Sequence, residues 1–325
     1  MIEAKIICDS IAEHSPRLTT FQLRYPKFIH GEFMTHRMFS RNASSSRAIP
    51  VAKNIREVKS DILRAAPEFW GCEQKGMQSG EELSDELSMF GHKVKKEEWK
   101  FSGRGGIAAS SITSIKRQAW EDWKYSALLV VERAENLCKL GVHKSIVNRL
   151  LEPFLHINVV ASSCKSGLLN FFGLRLDKAT QPEIRVLAEK MWAAWQESEP
   201  KKLEPGEWHL PFVEGLDEAI CCERSDFSYD EYAKQELIKV SVARCARVSY
   251  LSHETGKRST IEEDLALYNR LVGSQPLHAS PAEHQATPDN QVRHLEQHGN
   301  LPGWIQYRKL LPNESIAPLP PGYSF

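Results

Sequence analysis

Between Thr35 and Pro50 the chain reads THRMFSRNASSSRAIP, its densest run of polar groups. His36, Arg37, Ser40, Arg41, Asn42, Ser44, Ser45, Ser46 and Arg47 place hydroxyls, amides and guanidinium forks within a short span. Short side chains let backbone N–H groups approach phosphate oxygens, and arginine grips such oxygens in pairs. These types at this density suit a phosphate-binding loop, although a solvated basic loop has the same composition. Arg149 in IVNRLLEP and Arg175 in NFFGLRL sit in apolar company. An arginine there needs an anionic or hydrogen-bonding partner, which is either an internal carboxylate or a substrate. The GRGG stretch at 103–106 lacks the G-K-[ST] that completes a nucleotide-binding loop, so it reads as a flexible turn. His278 and His284 frame a loop, but lone histidines ordinarily serve packing or hydrogen bonding, and no grouping has the spacing of a zinc site. No metal is expected.

These groups need elements to hold them. AKIICDSI and RLTTFQLRY alternate apolar and polar residues, as half-buried strands do, and Pro26 breaks the second. From Phe28 to Phe39 the apolar spacing is close to helical, leading into the polar segment. Ile115 to Cys138 carries apolar residues every three or four positions and predicts one long amphipathic helix ended by Gly141. A second helix is expected from Ile146 to Pro153 and a third from Pro182 to Trp195, with Thr180 and Glu183 as reciprocal caps. Pro200 to Pro211 reads as a charged linker, SVARCARVSYLS as a strand, and Ser259 or Thr260 with Glu262 or Glu263 as the capped start of a helix through Leu271. The proline-bearing tail is expected to be extended. Residues from about 75 to 106 lack apolar periodicity and read as a surface insertion.

The composition bounds the class. With 41% hydrophobic and 26% charged residues the chain is an ordinary globular one. Its basic and acidic residues balance, so any anion site is local rather than a surface-wide feature. Aromatic residues are not interleaved with the basic ones of Arg41 and KVKKEEWK, which argues against RNA as a ligand. Cys8, Cys72, Cys138, Cys164, Cys221, Cys222 and Cys245 are odd in number and show no C-x-x-C pair, so reduced thiols and a cytoplasmic location are expected. Neither a signal-peptide start nor a membrane-spanning run is seen. Cys164, near NFFGLR, reads as filler rather than as a nucleophile.

Thr35 to Ala48 resembles the signature of the flavin-dependent thymidylate synthases, R-H-R-x-x-S-x-N-x-x-S-x-R-Y, departing at its first arginine and its last tyrosine. Arg149 followed by Pro153 is similar to a later arginine and proline of that family. NFFGLR and then ATQPEIR, between Asn170 and Arg185, are similar to its N-F-x-x-L-R and A-Q-x-E-I-R segments. Pieces that precede the signature in the family, A-R-V-S-Y-G and H-x-[ST]-P-F-E-H, stand here near the other end, as ARVSYLS from Ala246 and HASPAEH from His278. The order is therefore circularly permuted, which chains tolerate when the old ends lie close together. It requires Glu283 and His284 to pack beside the strand holding Phe21 and Leu23.

The resemblance implies an α/β (α+β) fold with a mixed β-sheet and long helices, forming one domain over 1–325. In that domain 75–106 is the insertion and 246–288 is equivalent to the family's N-terminal part. It implies reductive C5 methylation of dUMP to dTMP with FAD, NADPH and methylenetetrahydrofolate, in a homotetramer whose sites are shared between subunits. His36, Arg37, Asn170, Ser280 and Glu283 would then contact the flavin. Ser45, Ser46, Arg47 and Arg149 would hold the nucleotide phosphate, Glu32 would touch the nucleotide, and Arg175 would meet the pyrimidine ring, with Ser45 and Arg175 nearest the chemistry. Thr35, Ala43, Ala48, Cys164 and Ser166 depart from the family and read as losses of charge or hydrogen bonding. Another C5 product, a cytosine nucleotide, or a nucleotide-binding relative without turnover are the alternatives. No membrane or nucleic-acid partner is expected.

Overall fold

The structure is a computed structural model that describes residues 1–61, 66–67, 69–76, 80–83, 87–89, 92–93, 112–224, 230–249, 259–272, 277–291, 293–312 and 314. The readings of the 75–106 excursion, of the second half of ARVSYLS and of the tail therefore fall largely or wholly outside the described residues.

A mixed five-stranded sheet of order β3-β7-β2-β1-β8 organises the chain. Its strands are β1 (Glu3–Ala12), β2 (Ser15–Pro26), β3 (Ser40–Ala43), β7 (His156–Cys164) and β8 (Lys201–Lys202). All neighbours run antiparallel except β1 and β8. Strands β4 (Leu87–Met89), β5 (His92–Lys93) and β6 (Ile112–Ser114) form a separate small sheet, and β9 (Ala286–Pro288) pairs with β10 (Trp304–Gln306).

Helices cover the sheet, beginning with α1 (His30–Met34), α2 (Val51–Asp61), α3 (Ile115–Lys139) and α4 (Lys144–Leu151). Next come α5 (Lys165–Arg175), α6 (Pro182–Glu197), α7 (Gly215–Arg224), α8 (Asp230–Ala246) and α9 (Ile261–Val272). No helix among the described residues is long and apolar enough to cross a membrane.

The two faces of the sheet differ because side chains alternate along a strand. Phe21, Leu23 and Tyr25 of β2 point with Ile157, Val159 and Ala161 of β7 into a core completed by Leu168, Phe171, Ile184, Leu187 and Met191 from α5 and α6. On the other face, hydroxyls and imidazoles form a buried chain. His284 Nδ1 meets Ser162 Oγ at 2.8 Å, Ser162 Oγ meets Thr20 Oγ1 at 2.6 Å, Thr20 Oγ1 meets His209 Nε2 at 2.7 Å, and His209 Nδ1 meets Ser10 Oγ at 2.9 Å. Burial pulls both imidazoles down to about 3, so both are neutral. Residues 200–211, read as a charged linker, are largely exposed over 201–207 but anchored by the buried Leu203 and by His209, which fastens the segment to β1 and β2.

Three local readings are corrected. SVARCA belongs to α8, not to a strand, with Arg247–Ser249 following as a 3-10 turn. The helix is enclosed on several sides, with Val240, Val242, Ala243 and Cys245 fully buried, so it lacks the one-sided stripe that marks a surface helix. Even Arg244 is buried, its charge paired to Asp217 and Asp264 at 2.7 and 2.8 Å. Thr180 does not cap α6: its hydroxyl turns back to the Leu174 carbonyl, and Gln181 takes the capping position. The helical stretch from Phe28 to Phe39 shrinks to a 3-10 turn and the short α1, because the chain must turn at Thr35 to enter β3. The cap of α9 is as expected, with Glu263 N donating to Thr260 Oγ1 and Thr260 N donating to Glu263 Oε2.

Candidate active site

Strand β3 is the signature segment, and it lies at the edge of the sheet with a cleft on either side. Ser40 to Ala43 pair with Ser162 to Val159 of β7. The register continues through Ser44, whose N–H donates to the Asn158 carbonyl at 2.8 Å and whose hydroxyl accepts from Asn158 N. The following loop turns on a hydrogen bond from Ala48 N to the Ser45 carbonyl. Asn148, fully buried on α4, holds this turn from beneath, its Nδ2 donating to the carbonyls of Ser46 at 2.6 Å and Ile49 at 2.9 Å. Glu152, next in line, accepts from the Ser46 hydroxyl and pairs with Lys27 at 2.6 Å, and these partners hold its carboxyl below the usual range against the opposing effect of burial.

The first cleft, about 160 Å³, lies between the chain entering β3 and helix α5, and is lined by His36, Arg37, Gly167, Asn170, Leu174 and Arg175 among others. Gly167 allows the close approach, for a β-carbon there would collide with the Ser163 hydroxyl and reach Met38. Ser163 Oγ in turn donates to the Met38 carbonyl at 2.9 Å. Arg175 Nε donates to His36 Nε2 at 2.8 Å, and the His36 and Phe171 rings pack T-shaped with their centroids 4.8 Å apart. Burial, then the charges of Arg175 and Arg41, pull His36 down to about 4, so the imidazole is neutral and can accept. Arg41 faces away, donating to the Met34 carbonyl at the end of α1.

The second cleft, about 390 Å³, lies across β3 and is lined by Asn42, Ala43, Ser45, Arg47, Ala48, Ala246, Leu271, His278, Ser280 and Pro281. The HASPAEH turn forms its far wall. Ser280 Oγ donates to Asn42 Oδ1 at 3.4 Å, and Gln306 Nε2 ties the Glu283 carbonyl to Ser40. The turn therefore seats on the signature strand. Its contact with the central strands differs in detail from expectation: His284 reaches β2 through Ser162 and Thr20, on the face opposite Phe21 and Leu23, while Glu283 turns to Ser40 and Arg308.

Within one chain the expected residues thus divide. His36, Arg37, Asn170 and Arg175 share one cleft, and Ser45, Arg47 and Ser280 share the other. Ser46 is held by Asn148 and Glu152 at the border of the loop. Arg149 lines neither cleft and is exposed on α4 beside the exposed Ile146 and Leu150, with no internal ion pair among the described residues. Glu32 also lines neither, and one of its carboxylate oxygens is buried with no hydrogen-bond partner among the described residues. Glu283 is ion-paired to Arg308 rather than open to a ligand. Cys164 is buried and pushed up to about 12, as packing in an apolar cluster makes it. His278 borders the second cleft while His284 is sealed beneath the turn.

Asn148, Ser163 and Gly167 were not singled out from the sequence. The available signal was slight: an asparagine inside an amphipathic helix and a glycine inside NFFGLR's own helix are both unfavourable unless something needs them.

No characterised protein sequence matches the chain. Among solved structures, the UMP/dUMP methylase PolB from Streptomyces cacaoi bound with 5-Br UMP is similar at 17% identity and a TM-score of 0.39, over 61% of this chain and 89% of that one. Thymidylate synthase X from Helicobacter pylori with FAD and dUMP is similar at 14% identity and a TM-score of 0.33, over 55% and 67%. The family model for thymidylate synthase complementing protein matches residues 8–201, a span that holds the signature strand, its loop and both helices that bear Arg149 and Arg175. The chain belongs to the family of thymidylate synthase complementing proteins, the flavin-dependent thymidylate synthases.

Proposed function

We propose that the protein is a flavin-dependent thymidylate synthase-like enzyme that reductively methylates C5 of a pyrimidine nucleotide, converting dUMP to dTMP. The observation that carries this reading is the family match over residues 8–201, whose signature strand stands between two clefts lined by arginine. Arg37 and Arg47 have no carboxylate partner among the described residues, so each is left to meet an anion. A nucleotide phosphate at Ser45, Ser46 and Arg47 would supply one, with Arg149 reaching it from a neighbouring copy.

The residues present also fit FAD, since exposed Arg37 and neutral His36 suit a diphosphate and a ring, and Asn170 and Ser280 offer hydrogen bonds. FAD reduced by NADPH supplies the hydride, and methylenetetrahydrofolate supplies the carbon. The chain's own part is to orient and polarise. Arg175, donating to a carbonyl of the pyrimidine, stabilises the negative charge that develops as C5 becomes nucleophilic. Glu283 acts through the scaffold, holding with Arg308 the turn that presents Ser280.

Ligand sites usually have volumes of roughly 300–1,000 Å³, and a dinucleotide with a second nucleotide beside it exceeds either cleft. A site completed by other copies of the chain accounts for this, and for an Arg149 that lines neither of these clefts. Helix α3 exposes Tyr125, Leu128 and Leu129 at helical spacing, and α4 exposes Ile146 and Leu150 beside Arg149. We assign these apolar surfaces to the contacts of a homotetramer.

The test is a visible spectrum of the purified protein followed by assay with dUMP, methylenetetrahydrofolate and NADPH. Flavin absorption together with a product heavier by a methyl group supports the proposal. A hydroxymethylated product, or turnover of a cytosine nucleotide alone, replaces it with a related C5 modification. A colourless protein that takes up no FAD overturns it in favour of a nucleotide-binding relative.

A further inference from the structure

Thr35 stands where the signature it resembles has an arginine, and by type alone this is a loss of charge. Its hydrogen bonds give it a different meaning. The hydroxyl donates its one hydrogen to the Glu32 carbonyl at 2.7 Å, so toward Arg175 it offers only lone pairs. Arg175 Nη2 donates to that oxygen at 3.3 Å, while Nε donates to His36 Nε2 at 2.8 Å. For Nε2 to accept, the His36 proton must sit on Nδ1. Two consecutive residues therefore hold one side of the guanidinium without neutralising it. A carboxylate at either position would pair the charge internally, and an arginine at 35 would repel it. Nη1 is engaged by no described residue, and Arg175 lines the cleft.

We propose that Thr35 is a positioning residue, which with His36 forms an uncharged acceptor clamp that aims the free Nη1 end of Arg175 into the cleft. The ligand edge it would meet is a planar acceptor such as a pyrimidine carbonyl. That choice of ligand rests on the proposed function, whereas the clamp does not.

The experiment uses the full-length protein and the variants Thr35→Val, Thr35→Ser, Arg175→Lys and Thr35→Val with Arg175→Lys. Nitrogen-15 spectra report the His36 tautomer, and titration reports dUMP affinity. In the unchanged protein Nε2 is unprotonated at neutral pH. Thr35→Val, which is close to isosteric, loosens Arg175, admits protonation at Nε2 and weakens dUMP by about five- to tenfold, the effect of one lost hydrogen bond. Thr35→Ser restores both readouts, and Val adds no further loss in the Lys background, because the two residues act through one contact. The clamp is overturned if Val leaves the His36 signals at their original positions, if Ser does not restore them, or if Val weakens dUMP equally in the Lys background. Should the unchanged protein bind no pyrimidine nucleotide, the proposed function fails, and the His36 signals of the Val and Ser variants still decide the clamp.

Discussion

A β-carbon at Gly167 would collide with the Ser163 hydroxyl and come within 3.0 Å of Met38 Cβ. Both neighbours are fixed, since Ser163 lies in β7 and donates to the Met38 carbonyl. Gly167→Ala must therefore push the segment carrying His36 and Arg37 away from α5, at a cost of about 1–3 kcal/mol for overpacking. Thermal unfolding should show the lower stability, and flavin binding should weaken along with it. At this scale the sequence was legible where a motif resembles a known one: His36, Arg37, Asn170 and Arg175 were named together from the family resemblance, and they share a cleft. It was silent where a residue acts through what it lacks, as Gly167 does, or through a single lone pair, as Thr35 does. For a related reason the apolar neighbours of Arg149 did not reveal that it is exposed within its own chain, since sequence neighbours do not show which side of a helix faces solvent.

Helix α4 holds the phosphate-type loop by two side chains, the exposed Lys144, whose Nζ donates to the Ala48 carbonyl at 3.3 Å, and the buried Asn148. Asn148 is fully buried and bonds two carbonyls of that loop, so Asn148→Ala leaves both half-buried acceptors without their donor. The expected loss is about 2–3 kcal/mol, measured by chemical denaturation, with nucleotide affinity falling further than flavin affinity because the damage is confined to the loop. Elements with a single buried stripe were read almost to the residue. The helix expected over Ile115 to Cys138 is found over Ile115–Lys139, and that expected from Pro182 runs to Glu197. Helix α8 was not, since a helix buried on several sides, with Val240, Val242 and Cys245 all sealed, has the apolar content of a central strand. The Thr180 cap failed because its hydroxyl had a second acceptor in α5, a choice that only the packing of α5 against α6 makes available.

The HASPAEH turn and the 200–211 segment meet β2 and β7 across the polar face of the sheet, and that face makes the whole molecule sensitive to acid. His209 and His284 each have a folded-state pKa of about 3 against an ordinary 6.5. As pH falls below about 6.5 the unfolded chain takes up protons that the folded one refuses, so stability is complete above that value and declines toward 3. Urea midpoints measured between pH 7 and pH 4 should fall, and His209→Gln should flatten part of the decline while lowering stability at neutral pH. The assigned oligomer surfaces make a separate prediction: Leu129→Glu places a charge on the exposed face of α3, and sedimentation should show smaller species with the fold retained by circular dichroism. The HASPAEH turn was expected beside the strand of Phe21 and Leu23 and instead seats on the signature strand, reaching β2 only through Ser162 and Thr20, while the His209 fastening lay hidden in a charged, proline-bearing stretch. Ser280 joins Asn42 across 238 residues, and Gln306 joins Ser40 across 266. During translation the signature strand thus leaves the ribosome long before the turn that walls its second cleft exists. A nascent chain halted before residue 278 would hold an edge strand that is half covered, and the closing step of folding must await the synthesis of residues 278–306.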